Sequence, residues 1–148
     1  MPELKGQCMC GAVSFSARNV PDTFGGCHCK MCQRWAGSAL LGVTVQEADL
    51  DWAGQENIKR LQSSDWAERA WCDNCGSGLW YRVTAEGPHK GGYEFPIGLF
   101  DDASGLRLVR EIFVDRKPDA FAFSGDHEML TQAQAMALYG LTDEGSDQ

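Results

Sequence analysis

Short runs along this chain either alternate between apolar and polar residues or are rich in strand formers. They fall at 12–16, 39–45, 59–62, 69–71, 79–83, 94–99 and 106–114. Alternation at period two gives a strand one apolar face, and β-branched and aromatic side chains suit a pleated, half-buried surface. Turn-forming clusters separate the runs, at 19–22, 52–57, 86–92 and 101–105. The pattern predicts a compact, mostly β chain. One helix is predicted near the end. Thr131 can cap it, Gln134 three residues on completes a capping box, and Gly140 can stop it. Ala133, Met136 and Ala137 then form a small apolar face. The polar stretch after Leu141, TDEGSDQ, is expected to fray.

A chain of 148 residues is most simply one domain, here 1–148, with a core over about 5–125 and the helix and polar tail over 126–148. At this length roughly 70% of the unfolded surface is buried on folding, so a core forms without cross-links. Seventeen glycines fit a fold with many turns. Thirteen basic against 21 acidic side chains leave a formal charge of −8. Phosphate binding needs a basic face, so nucleic acid is not expected as a main partner. The opening MPELKGQCMC has no apolar signal region, and no stretch is long enough to span a membrane. The chain therefore reads as cytoplasmic, where thiols stay reduced.

That changes the meaning of the seven cysteines. An odd number in a reducing compartment fits metal ligation better than a disulfide framework. They form three groups: Cys8 and Cys10; Cys27, Cys29 and Cys32; Cys72 and Cys75. The last is a zinc-knuckle spacing, in which a tight turn aims two sulfurs at one ion and Gly76 gives a flexible exit. A Cys-x-Cys pair in an extended segment points both side chains the same way. Two plus two closes a tetrahedral site. The three remaining cysteines can hold a second ion from one continuous loop and leave a position open. Closed zinc sites are usually structural and open ones catalytic. Spacing also allows a swapped grouping, or a single closed site with the other thiols free. In an extended segment His28 would point away from Cys27 and Cys29.

The pattern C-x-C-G at 8–11, C-H-C-x-x-C-x-R at 27–34 and C-x-x-C-G-x-x-L at 72–79 resembles the glutathione-dependent formaldehyde-activating enzyme family. The stretch EIFVDRKPDAF at 111–121 is similar to that family's closing strand and proline turn, with Glu111 where a histidine is common. The resemblance covers about residues 5–125. It implies a β-tent zinc-binding domain with a structural zinc on Cys8, Cys10, Cys72 and Cys75. It implies a second, active-site zinc on Cys27, Cys29 and Cys32. The activity it implies is a carbon–sulfur lyase that, in reverse, joins formaldehyde to glutathione as S-hydroxymethylglutathione.

On that reading a thiol enters the open position as thiolate, because a bound cation lowers its pKa. A small thiol and a small aldehyde are then the partners. Lys30 and Arg34 flank the trio and are candidates for the carboxylates of glutathione. His89 is a candidate proton donor. Trp35, Trp71 and Trp80 are read as packing around the cysteines. Two other functions compete: a zinc-stabilised binding module without chemistry, and a thiol-redox or metal-buffering protein.

Overall fold

The computed structural model describes residues 3–140. The polar tail foreseen after Leu141 lies outside them. Eleven strands and two short helices make the described chain mostly β. Strands β1 (Leu4–Gln7), β2 (Ser14–Ala17) and β5 (Leu50–Ala53) form a small antiparallel sheet in the order β1-β2-β5. The large sheet comprises β3 (Thr23–Cys27), β4 (Leu40–Val45), β6 (Ile58–Gln62), β7 (Ala67–Cys72), β8 (Gly78–Val83), β9 (Tyr93–Pro96), β10 (Arg107–Ile112) and β11 (Glu128–Leu130). Its order is β11-β10-β3-β4-β9-β8-β7-β6, with β10 parallel to both neighbours and the other pairs antiparallel. Neither sheet closes on itself.

Period-two alternation sorts the large sheet into two faces. Val43 and Val45 of β4, Trp80 of β8, and Tyr93 and Phe95 of β9 turn to one side. There they pack with Phe15 and Ala17 of the small sheet. Phe15 stacks on Phe95 with ring centroids 4.5 Å apart, and Trp52 tilts against Trp80 at 5.3 Å. Trp52 therefore belongs to a core strand, where the sequence pattern had placed a turn at 52–57. Its strand, β5, is only four residues long and is flanked by tight 3-10 turns, so it leaves no run of alternation. The opposite face carries Cys27 and Gly25 of β3, Gly42 and Thr44 of β4, Glu94, Tyr81 and Arg69. All of these line one cavity.

The helices are α1 (Lys30–Ala36) and α2 (Gln132–Tyr139). The expected capping box opens α2: Thr131 accepts from the Gln134 N–H, and the Gln134 side chain accepts from the Thr131 N–H. Gly140 ends it in the left-handed conformation. The buried face differs from expectation. Ala135 and Met136 are buried, whereas Ala133 and Ala137 are exposed. The inward stripe is Gln132, Ala135, Met136 and Tyr139, a spacing of three, four and seven. The polar ends of Gln132 and Tyr139 hid it from a reading of apolar residues alone.

Candidate functional site

The sulfurs of Cys8, Cys10, Cys72 and Cys75 lie within 4.8 Å of one another, and so do those of Cys27, Cys29 and Cys32. A tetrahedral zinc–thiolate site with bonds of about 2.3 Å separates its sulfurs by about 3.8 Å. In the quartet Cys8 and Cys10 are 3.6 Å apart, and Cys10 and Cys72 are 3.9 Å apart. Both clusters could therefore hold a metal ion.

The quartet is built from two turns. Cys8 and Cys10 sit in the β1–β2 connection, a turn closed by Gly11 N–H to Cys8 C=O, and not in the extended segment expected for them. The turn still converges both sulfurs because backbone donors hold them: Val13 N–H lies 3.3 Å from Cys8 Sγ, and Ala12 N–H 3.4 Å from Cys10 Sγ. Cys72 ends β7, and Gly76 N–H bonds its carbonyl at 2.8 Å to close the knuckle. Gly76 has φ 81°, a left-handed turn that suits glycine. Asn74 Nδ2 donates to Cys10 Sγ at 3.2 Å and holds that thiol below its usual range. Ser77 does the same for Cys75, which is lowered to about 5. Donors aimed at sulfur favour the anionic form that a metal needs.

The trio spans a strand end and a helix start, not a single loop. Cys27 closes β3, Cys29 is the N-cap of α1, and Cys32 lies in its first turn, with Cys32 N–H 3.2 Å from Cys29 Sγ. Hydrogen bonds from the Cys27 and Cys29 thiols hold Cys32 well below the usual thiol range, and the Arg69 charge adds to this against burial. Cys27 is pushed well up, chiefly by its bonds to the other two thiols. The negative charge of the cluster thus gathers on Cys32, beside Arg69.

Sequence reading placed Arg69 in a strand and gave it no part in the site. It is 3% exposed. Its guanidinium lies between the rings of Trp35 and Tyr81, 4.9 and 5.1 Å from their centroids, and Nη2 donates to Cys32 Sγ at 3.5 Å. Nε and Nη1 have no hydrogen-bond partner among the described residues. A buried, unneutralised cation is costly. The cysteine cluster is the anion that offsets it.

On the other side of β3, His28 is fully buried and its Nε2 lies 2.6 Å from Glu111 Oε1. His127 bonds the second oxygen of Glu111. Against the effect of burial, hydrogen bonds from His28 and His127 hold Glu111 below the usual carboxylate range. His28 points away from the trio, as extended backbone requires, and anchors the strand end that carries Cys27 and Cys29.

The trio opens onto a cavity of about 800 Å³, which His89, Lys90, Arg110 and Tyr139 also line. His89 is exposed and edge-on to Tyr139. Lys30 is half-buried and Arg34 exposed on α1, and neither lines this cavity. Trp80 lies in the core, whereas Trp35 packs beside the trio. Among the described residues no helix is long and apolar enough to cross a membrane.

A family model described as glutathione-dependent formaldehyde-activating enzyme matches residues 3–116. A protein of Schizosaccharomyces pombe described as an uncharacterized lyase is 29% identical over 136 residues, covering 92% of this chain and 96% of that protein.

Proposed function

Because the chain belongs to the glutathione-dependent formaldehyde-activating enzyme family, we propose that it is a zinc-dependent carbon–sulfur lyase of thiol–aldehyde adducts, with S-hydroxymethylglutathione as the simplest. In the joining direction a thiolate sulfur attacks the carbonyl carbon, and the carbonyl oxygen takes a proton. The lyase direction reverses both events. The observation that carries this reading is the cysteine trio facing a cavity large enough for a small peptide thiol.

The proposed ligand sets are Cys8, Cys10, Cys72 and Cys75 for a structural zinc and Cys27, Cys29 and Cys32 for an active-site zinc. A zinc ion on the trio would supply a soft cationic centre that favours the thiolate form of an incoming thiol. The chain itself supplies the rest. Arg69 offsets the negative charge of the cluster, so a further anion can approach it. Trp35 and Tyr81 fix the guanidinium and exclude water around it. The carboxylates of glutathione need cations beyond the reacting sulfur. The candidates are Lys90 and Arg110 in the cavity, with Lys30 and Arg34 outside its lining.

The test is exchange of formaldehyde with glutathione, followed by two-dimensional exchange NMR on zinc-loaded protein. Adduct formation is expected above the spontaneous rate, and Cys29→Ser is expected to return it to that rate. Exchange no faster with the wild-type protein than without it would overturn the reading.

A further inference from the structure

The reading above leaves the hydroxyl proton without a carrier. His28 and His127 are committed to Glu111 on the other side of β3, and His89 is exposed and edge-on to Tyr139. The cavity face of the large sheet offers another group. Directly opposed residues across β7, β8, β9 and β4 form one row: Arg69 beside Tyr81, Tyr81 beside Glu94, Glu94 beside Thr44. All four line the cavity that holds the trio. The Glu94 carboxylate accepts a hydrogen bond from Thr44 Oγ1 at 2.5 Å. It has no ion-pair partner among the described residues. A carboxylate in a cavity without a cation serves no evident structural end.

Two glycines clear the floor between this carboxylate and the trio. Gly25 of β3 is paired with Gly42 of β4, and Cys27 with Leu40 two residues along. A side-chain carbon on Gly42 would stand 3.2 Å from Glu94 Oε2, so the carboxylate leans over Gly42. Gly42 is one strand across from Cys27 and two residues along. With strands about 4.8 Å apart and a rise of about 3.4 Å per residue, their Cα atoms are roughly 8 Å apart. Glu94 thus overhangs a strand position next to the trio, on the wall of the same cavity.

We propose that Glu94 is the acid–base group of this site, giving the hydroxyl proton to the adduct as it forms and taking it as the adduct breaks. The assignment rests on the thiol–aldehyde reading. In the joining direction the thiolate pair forms the C–S bond and the carbonyl π pair moves to oxygen. The protonated Glu94 carboxyl gives that oxygen its proton and is left as carboxylate. In the lyase direction the carboxylate takes the hydroxyl proton, the C=O bond reforms, and sulfur leaves with the C–S pair as thiolate. The thiol's own proton has gone to solvent on binding, so no other reactant is needed.

Burial pushes the Glu94 carboxyl up to about 7, with the Thr44 hydrogen bond opposing it, so both forms are present at neutral pH. The other titratable or charged groups of the cavity are Tyr81 on β8, Arg69 on β7, Cys27 on β3, Cys29 and Cys32 at the start of α1, Arg110 on β10 with its partner Glu128, Tyr139 on α2, and the Glu86–Lys90 pair with His89.

The experiment is the exchange assay on zinc-loaded wild-type, Glu94→Gln and Thr44→Val proteins between pH 5 and 9. Glu94→Gln keeps the size of the side chain and an acceptor for Thr44. It is expected to lower kcat by about 100-fold, with KM for glutathione changed by less than about threefold, and to erase the pH limb near neutrality. Thr44→Val removes a donor to the carboxylate and is expected to move that limb to higher pH while activity remains. Exchange that survives Glu94→Gln with an unchanged pH profile overturns the assignment alone. A pH limb that Thr44→Val leaves in place also counts against it. No acceleration by the wild-type protein overturns the thiol–aldehyde reading, and the assignment with it.

Discussion

Arg69 and Glu94 stand in one row across the sheet, and each is an ionisable group taken largely out of water. Arg69 is a buried cation whose nearest anion is Cys32. Arg69→Met keeps the apolar stem between Trp35 and Tyr81 but removes the charge. The trio should then hold its metal about 10- to 100-fold more weakly, the range for loss of a group that supports metal ligands. Arg69→Lys should recover part of that loss. Competition with a chromophoric chelator checks both, and equal retention in all three proteins would show that the charge plays no part. Glu94 works in the opposite sense. Its carboxyl is raised to about 7 in the folded chain, above its unfolded value. Its burial therefore costs nothing below the unfolded pKa of about 4.3, and the cost grows as pH rises toward and through 7. Glu94→Gln should leave stability unchanged near pH 4. At pH 8 it should raise stability by about 1–3 kcal/mol, since the carboxyl faces a cavity and is partly hydrated. Denaturant unfolding at the two pH values measures the difference, and an equal effect at both would contradict the raised pKa.

At the scale of elements, the sequence was informative where one signal acts locally. The capping box at Thr131 and Gln134 is such a signal. Thr131→Ala should cost about 1 kcal/mol, read as a lower unfolding midpoint with an unchanged denaturant slope. Strands with clean alternation, such as β4 and β8, could be read in the same way. Other elements gave no such signal. Helix α1 is seven residues long, and although Met31, Cys32 and Trp35 share its inner face, two turns are too short for a helical period to show in the sequence. It exists because Cys29 caps it and Cys32 is turned inward. Strand β3 reads Thr-Phe-Gly-Gly-Cys, and its glycines look like a turn. In the sheet Gly25 pairs with Gly42 and extends the cleared floor over which Glu94 leans. The cysteine clusters were legible because thiols are few and their spacings short. Arg69 and Glu94 were not, because a charged residue in a strand does not reveal which face it takes until the neighbouring strands are in place.

The two cysteine clusters stand in different relations to the whole molecule, and this sets the last expectation. The quartet ties the β1–β2 turn of the small sheet to the β7–β8 turn of the large one, and Cys8 and Cys72 are themselves part of the core between the sheets. A metal there closes a contact between residues more than sixty positions apart, and its loss would leave the Cys8, Cys10, Cys72 and Cys75 sulfurs with nothing to hold the two turns together. The trio is local by comparison. Its three residues lie within six positions, and the cap of α1 and the His28–Glu111–His127 bonds hold that segment by other means. Cys75→Ser should therefore give protein that is insoluble or unfolds at much lower denaturant, with zinc lost from the quartet. Cys29→Ser should lose about one zinc per chain and keep a cooperative transition. Graded removal of zinc from the wild-type protein should follow the same order: the first ion leaves with the core amides of Phe15 and Phe95 still protected from hydrogen exchange, and their protection collapses with the second. Protection that falls in step with the first ion would make the trio a structural centre too, and would favour a metal-stabilised binding module over a site held open for chemistry.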